Sequence, residues 1–167
     1  MDSAIAPVLI ENVPCHELAV GARAEIVRTL RPEDILQFAA VSGDWNPAHL
    51  DAEYAKDTPF HGVIAHGLWG GALISAVLGT HLPGPGTVYL DQSLHFSRPV
   101  RLGDTVTASV TCREKNDETR RATFDCLVVN QRGETVIRGV AEVLVPEHKV
   151  RLPRPALPRF APEPLPA

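Results

Sequence analysis

The hydrophobic period changes twice along the chain. Over positions 32–42 apolar residues recur at helical spacing, with Ile35, Phe38 and Ala39 on one face. Pro32 suits the first helical position, and Glu33 and Asp34 favour the positive end of the helix dipole. The spacing predicts a helix that opens at Pro32 and stops near Ser42-Gly43, after a short strand over 24–30. Over 66–81 the chain is apolar almost all the way round, with Gly67, Gly70 and Gly71 near the start. A helix without a polar face is expected to be enclosed by protein. Pro83-Gly84-Pro85-Gly86 ends it.

Beyond that point the period falls from 3.6 to 2. Val106, Ala108, Val110 and Cys112 alternate with Thr and Ser. Ala122, Phe124, Cys126 and Val128 repeat the pattern, as do Val88, Leu90, Leu94 and Phe96. A last strand runs through Ile137, Ala141, Val143 and Val145. These read as half-buried strands of an antiparallel sheet, with hairpin turns at Asn116-Asp117 and Gln131-Arg132-Gly133. The simplest way to bury both patterns wraps the sheet around the apolar helix, which is an α+β layer fold.

Composition narrows the function more than the fold. The 167 residues suffice for one domain, and the net charge of −4 comes without a basic run, so a nucleic-acid surface is not expected. Asp2 stands where a signal peptide would carry positive charge. The longest apolar run, 68–78, is roughly half a membrane span and is broken by Gly70, Gly71 and Ser75. Cys15, Cys112 and Cys126 are odd in number, widely spaced and without a CxxC, as reduced thiols of a cytoplasmic protein would be. Pro146, Pro153, Pro155, Pro158, Pro162, Pro164 and Pro166 crowd the end of the chain. A domain over 1–146 is therefore expected, followed by an extended Pro-rich tail or linker over 147–167 that makes no helix or sheet ladder.

The densest cluster of reactive side chains is Asp44, Asn46, His49 and Asp51. Asp44 and His49 are five apart, which does not place them on one face of a regular helix. Pro47 biases Asn46 to an extended conformation and is suited to start a short helical turn capped by Asn46. A carboxylate and an imidazole presented from one bend can converge on a water as an acid–base pair. The same D-x-N-P is also a good turn sequence, in which Asp44 would only cap. His66-Gly67 opens the apolar helix, where unpaired N–H groups can form an oxyanion hole and Gly67 permits close approach; close packing is the other reading of that glycine. Ser75 lies on the same helix face as Gly67 and Gly71, with either a bond to its own helix or a ligand contact open to it. His61 and His66 straddle Gly62 without a metal-ligand spacing, so no metal is expected. No phosphate-cradling loop, nucleophile elbow or dinucleotide fingerprint is present.

The run VSGDWNPAHLD, the later A-x-x-x-x-F-x-x-x-I-A-H-G-L stretch (Ala55 fits its start loosely) and LPGPGTVYLDQSLHFSRPVRLGD together resemble the MaoC-like, (R)-specific enoyl-CoA hydratase family. The resemblance covers roughly residues 22 to 146. It implies a hot-dog fold, a long helix wrapped by an antiparallel sheet, and a homodimer or higher homo-oligomer. It implies hydration of an acyl-CoA thioester as substrate without a cofactor. Asp44 and His49 match the catalytic pair, Gly67 the oxyanion-hole donor, Ser75 a serine that helps position the Asp, and Asn46 a loop-shaping or ligand-orienting residue. Similar domains precede a phosphate acyltransferase in bifunctional proteins, so a fused or docked acyltransferase is a further implication. Related dehydratases and one thioesterase class carry an acidic residue on the central helix; residues 67–80 have none. A thioesterase and a non-catalytic acyl-binding module remain the alternatives.

Overall fold

In the computed structural model, which describes residues 8–158, the predicted elements appear in order. After a short strand β1 (Leu9–Glu11), β2 spans Arg23–Thr29 and α1 spans Pro32–Ser42. Two short helices follow, α2 (Pro47–Leu50) and α3 (Ala52–Lys56), and then the apolar helix α4 (Gly67–Thr80). The strands β3 (Val88–Phe96), β4 (Thr105–Asn116), β5 (Arg121–Asn130) and β6 (Thr135–Leu144) complete an antiparallel sheet in the order β2-β4-β5-β6-β3.

The alternation in β4 and β5 does what period 2 requires. Val106, Ala108, Val110, Phe124 and Val128 are fully buried, and they meet Ile74, Val77 and Leu78 from α4, which packs mainly on β4. The β5–β6 turn is closed by Asn130, whose Oδ1 accepts from the N–H of Arg132 and of Glu134. Helix α1 opens as its sequence suggests, with Pro32 at N1 and the Asp34 carboxylate accepting the Arg31 N–H at 2.9 Å. It ends at Gly43, whose φ of +72° is left-handed and whose N–H bonds the Ala39 carbonyl. That reversal, readily made only by glycine, sets the direction in which Asp44 leaves.

Three expectations are corrected. First, α4 is not enclosed by its own chain. The sheet covers one side, and Leu68, Ala72, Ser75 and Gly79, spaced as one helical stripe, stay exposed. Second, β3 does not keep its period. Its register with β6 shifts between Tyr89 and Asp91, which puts Leu90 in a bulge, and Val88, Leu90 and Phe96 are all exposed on this edge strand. Third, part of the Pro-rich segment does pair. Arg151–Pro153 forms β7 against β1, and Arg154 N–H donates to the Val8 carbonyl. A two-stranded ribbon has only edges, where proline is tolerated. The buried Asn12 clamps this ribbon. Its amide donates to the carbonyls of His148 (2.9 Å) and Pro85 (3.1 Å) and its Oδ1 accepts from Val150 N–H (2.8 Å). Met1 and Asp2 at one end, and residues 159–167 of the expected tail with Pro162, Pro164 and Pro166, lie outside the described residues.

Candidate active site

Asp44 to His49 form a bend held by its own side chains. The Asp44 carboxylate accepts the Asn46 N–H at 3.2 Å, and Asn46 Oδ1 accepts the Ala48 N–H at 3.0 Å, capping α2 behind Pro47. Asp51 plays no part in the cluster, because its Oδ1 is occupied by the N–H groups of Glu53 and Tyr54 as the cap of α3. The bend is then tied to the segment before α4. Ile64 N–H donates to the Ala48 carbonyl, and His49 Nδ1 lies 2.8 Å from the Ile64 carbonyl. A carbonyl only accepts, so Nδ1 carries the hydrogen and His49 Nε2 is left with its lone pair.

His66 completes the arrangement. Its Nε2 lies 3.0 Å from the Asp44 backbone carbonyl, and its ring stacks between Phe38 (centroids 5.0 Å apart) and His49 (3.9 Å). One ligating atom from each of Asp44, His49 and His66 lies within 4.8 Å of the others. A metal would need lone pairs converging on one point at about 2.0–2.2 Å. The two rings lie close, with centroids 3.9 Å apart and a tilt of 31° between their planes. Each ring has also committed one nitrogen to a carbonyl. The spacing of Asp44 and His49 suits a water, since a water bonded to two acceptors bridges about 4.6 Å.

His49, His66 and Gly67 line a cleft of about 320 Å³ whose other walls are mostly apolar, among them Phe60, Phe96, Val100 and Ile137. Gly67 is the first residue of α4, where N–H groups have no intrahelical acceptor and carry partial positive charge. A Cβ on Gly67 would lie 3.2 Å from the Phe96 ring, so the glycine packs closely.

A family profile described as "MaoC like domain" matches residues 16–131. The chain belongs to the MaoC-like family. Among its MaoC-like relatives, an (R)-specific enoyl-CoA hydratase of Rhodospirillum rubrum is 47% identical over 133 residues, 78% of this chain and 90% of the relative. A 3-hydroxybutyryl-CoA dehydratase of Methylorubrum extorquens is 45% identical over 132 residues, 79% of this chain and 83% of that protein. The solved structure of an unliganded R-hydratase from Pseudomonas aeruginosa matches with a TM-score of 0.89 and 45% identity, covering 93% of this chain and 100% of that one. The fold is the hot-dog fold of these MaoC-like proteins.

Not every residue singled out in the sequence joins the MaoC-like site. Asp44 and His49 come together with His66, Asn46 shapes their bend, and Gly67 lines the cleft with the two histidines; Ser75 lies on the exposed stripe of α4 and makes no hydrogen bond to Asp44. Of Arg98, Arg101 and Arg121, only Arg98 lines the cleft, 3.4 Å from Glu134. The Arg101 guanidinium donates to the Phe60 carbonyl, and Arg121 pairs with Glu142 at 2.6 Å. The cysteines are free, and burial raises the thiols of Cys15, Cys112 and Cys126, the last to about 11. No helix among the described residues is long and apolar enough to cross a membrane. The residue that sequence reasoning placed least well is His66, whose contact with Asp44 spans 22 positions and leaves no mark on local spacing.

Proposed function

We propose that this MaoC-like protein is an (R)-specific enoyl-CoA hydratase, a hydro-lyase that adds water reversibly to a trans-2-enoyl-CoA to give a (3R)-3-hydroxyacyl-CoA. The observation that carries the reading is one carboxylate and one imidazole, Asp44 and His49, converging from a single bend beside a cleft that Gly67 lines. In this reading the enoyl chain lies along the apolar wall and the thioester oxygen accepts the Gly67 N–H. A water between Asp44 and His49 loses one proton to the pair and its oxygen bonds to C3. Charge builds on the thioester oxygen as the C2–C3 double bond opens, where the start of α4 stabilises it. The pair returns a proton to C2, so the sum is one water added. The two groups share the proton as a coupled unit. No electrons pass to an outside carrier, so the reaction calls for no cofactor.

The same reading places the protein in a dimer and, with three buried free thiols, in the reducing cytoplasm. The edge strand β3 and the Leu68–Ser75 side of α4 are among the apolar surfaces left uncovered in one chain. A second copy on that face would cover them, and the supporting role of Ser75 would be exercised inside that interface. Leu68→Asp is expected to halve the mass seen by sedimentation equilibrium; an unchanged mass, or a wild type that is already monomeric, removes this interface.

Crotonyl-CoA tests the reaction directly. The expected product is (3R)-3-hydroxybutyryl-CoA, with one deuterium at C2 when the reaction runs in deuterium oxide. Release of free CoA thiol would mark a thioesterase instead, and binding without turnover on any enoyl chain length would mark a non-catalytic acyl-binding module.

A further inference from the structure

His66 is 3% exposed, and its Nδ1 is the one buried side-chain nitrogen or oxygen without a hydrogen-bond partner among the described residues. It caps α4 by position yet its side chain makes no cap hydrogen bond, so it does not serve the helix as a capping residue would. Its slot, between the ring of Phe38 and the ring of His49, is an aromatic one. Phenylalanine would fill that slot without burying an unpartnered nitrogen, which works against stability. What histidine alone adds is Nε2. Its hydrogen points at the Asp44 carbonyl, because that oxygen only accepts.

We propose that His66 is a positioning residue for the hydration, holding the Asp44 turn, the His49 ring and the first N–H of α4 at fixed mutual distances. One side chain touches all three parts. Its backbone precedes Gly67 directly, its ring backs His49, and its Nε2–H is the hydrogen bond from the start of α4 to the Asp44 turn. The other ties in this region reach His49 through Ile64 and shape the bend through Asn46 and Ser42, and none of them joins Asp44 to α4. Without Nε2–H the Asp44 carbonyl loses this partner and the carboxylate drifts relative to the thioester oxygen's site. A misplacement of about 1 Å costs on the order of 10²-fold in rate. His66 touches neither the water nor the substrate in this scheme.

The proposal rests on the hydratase reading above, and the test separates the two. Full-length wild type, His66→Phe, His66→Gln and Asp44→Asn are compared for kcat and KM with crotonyl-CoA and for Tm. His66→Phe is expected to keep or raise Tm while kcat falls about 10- to 100-fold and KM moves by less than about threefold. His66→Gln, whose amide nitrogen reaches where Nε2 lies, is expected to recover kcat to within about fivefold of wild type. A role in folding alone would lower Tm and leave the kcat of the folded fraction intact. His66→Phe with kcat within about threefold of wild type overturns the proposal, as does a Gln variant no better than Phe. If Asp44→Asn also turns over at the wild-type rate, it is the hydratase site that fails, not His66.

Discussion

Two hollows on this molecule differ sharply in their charged groups. One is the cleft at His49, His66 and Gly67, about 320 Å³; the other, about 440 Å³, is lined by Cys15, His16, Lys115, Asp117, Glu118, Arg120 and Glu147. The larger one is spent on itself. Lys115 Nζ donates to Asp117 (2.9 Å) and to the Cys15 carbonyl (2.8 Å), and the Cys15 thiol turns to the same Asp117 oxygen at 3.4 Å. The hydrogen bond with Lys115 holds the Asp117 carboxyl below its ordinary range and raises the Lys115 ammonium above its own. In the smaller cleft each histidine commits one nitrogen to a backbone carbonyl and keeps the other, and the start of α4 keeps its N–H. Anchored at one atom and open at the other, His49 and the start of α4 can serve a substrate. Neither the size of a hollow nor the number of its charges identifies the site.

The strongest way to sharpen this contrast is to remove the open N–H. His66 has φ −57° and ψ 136°, a conformation that a following proline accepts, and Gly67 is at the first helical position, where proline is tolerated. Gly67→Pro is expected to lower kcat by about 10²–10³-fold, the usual cost of an oxyanion-hole donor. Gly67→Ala, which keeps the N–H and only crowds Phe96, is the steric control and should lose far less. Equal losses in the two variants would show that the glycine acts by packing alone.

A smaller effect belongs to the sheet. Burial pushes the Cys126 thiol from 9.0 up to about 11, so the folded state favours the neutral form. This contribution to stability is complete below pH 9 and is lost as pH rises through about 11. Cys126→Ala should flatten the fall of the urea midpoint between pH 9 and 11 while leaving kcat at neutral pH within about twofold. Part of the fall persists in the variant, since burial also raises Tyr89, to about 12. Identical alkaline slopes would contradict the assignment. The smallest change is expected where the charges are densest. Lys115→Met with Asp117→Asn opens only an exposed, self-satisfied pair and should leave kcat within about twofold. A tenfold loss would break the comparison between the two hollows.

Much of this was legible in the sequence because it is local. The shift from period 3.6 to period 2 placed α4 and the strands β4, β5 and β6, and Pro47 after Asn46 foretold the capped turn that carries His49. The rest depends on distant partners. The bulge that exposes Leu90 is a property of β3 against β6, and the β7 strand exists because Asn12 reaches residues more than 130 positions away. Likewise, the roles of Asp51 and His66 follow from which backbone groups they meet. Asp51 meets its own helix, and His66 meets the carbonyl of Asp44.

The central claim is that Asp44 and His49 act together on one water. Its most direct test is the initial rate of crotonyl-CoA hydration, followed by loss of the enoyl-thioester absorbance, for wild type, Asp44→Asn and His49→Ala. Wild type should turn over, and each variant should lose on the order of 10²–10⁴-fold in kcat with its fold intact. The double variant should be scarcely worse than either single one, as expected of groups that work as a unit. A wild type without turnover, or either variant within a few-fold of it, would contradict the account.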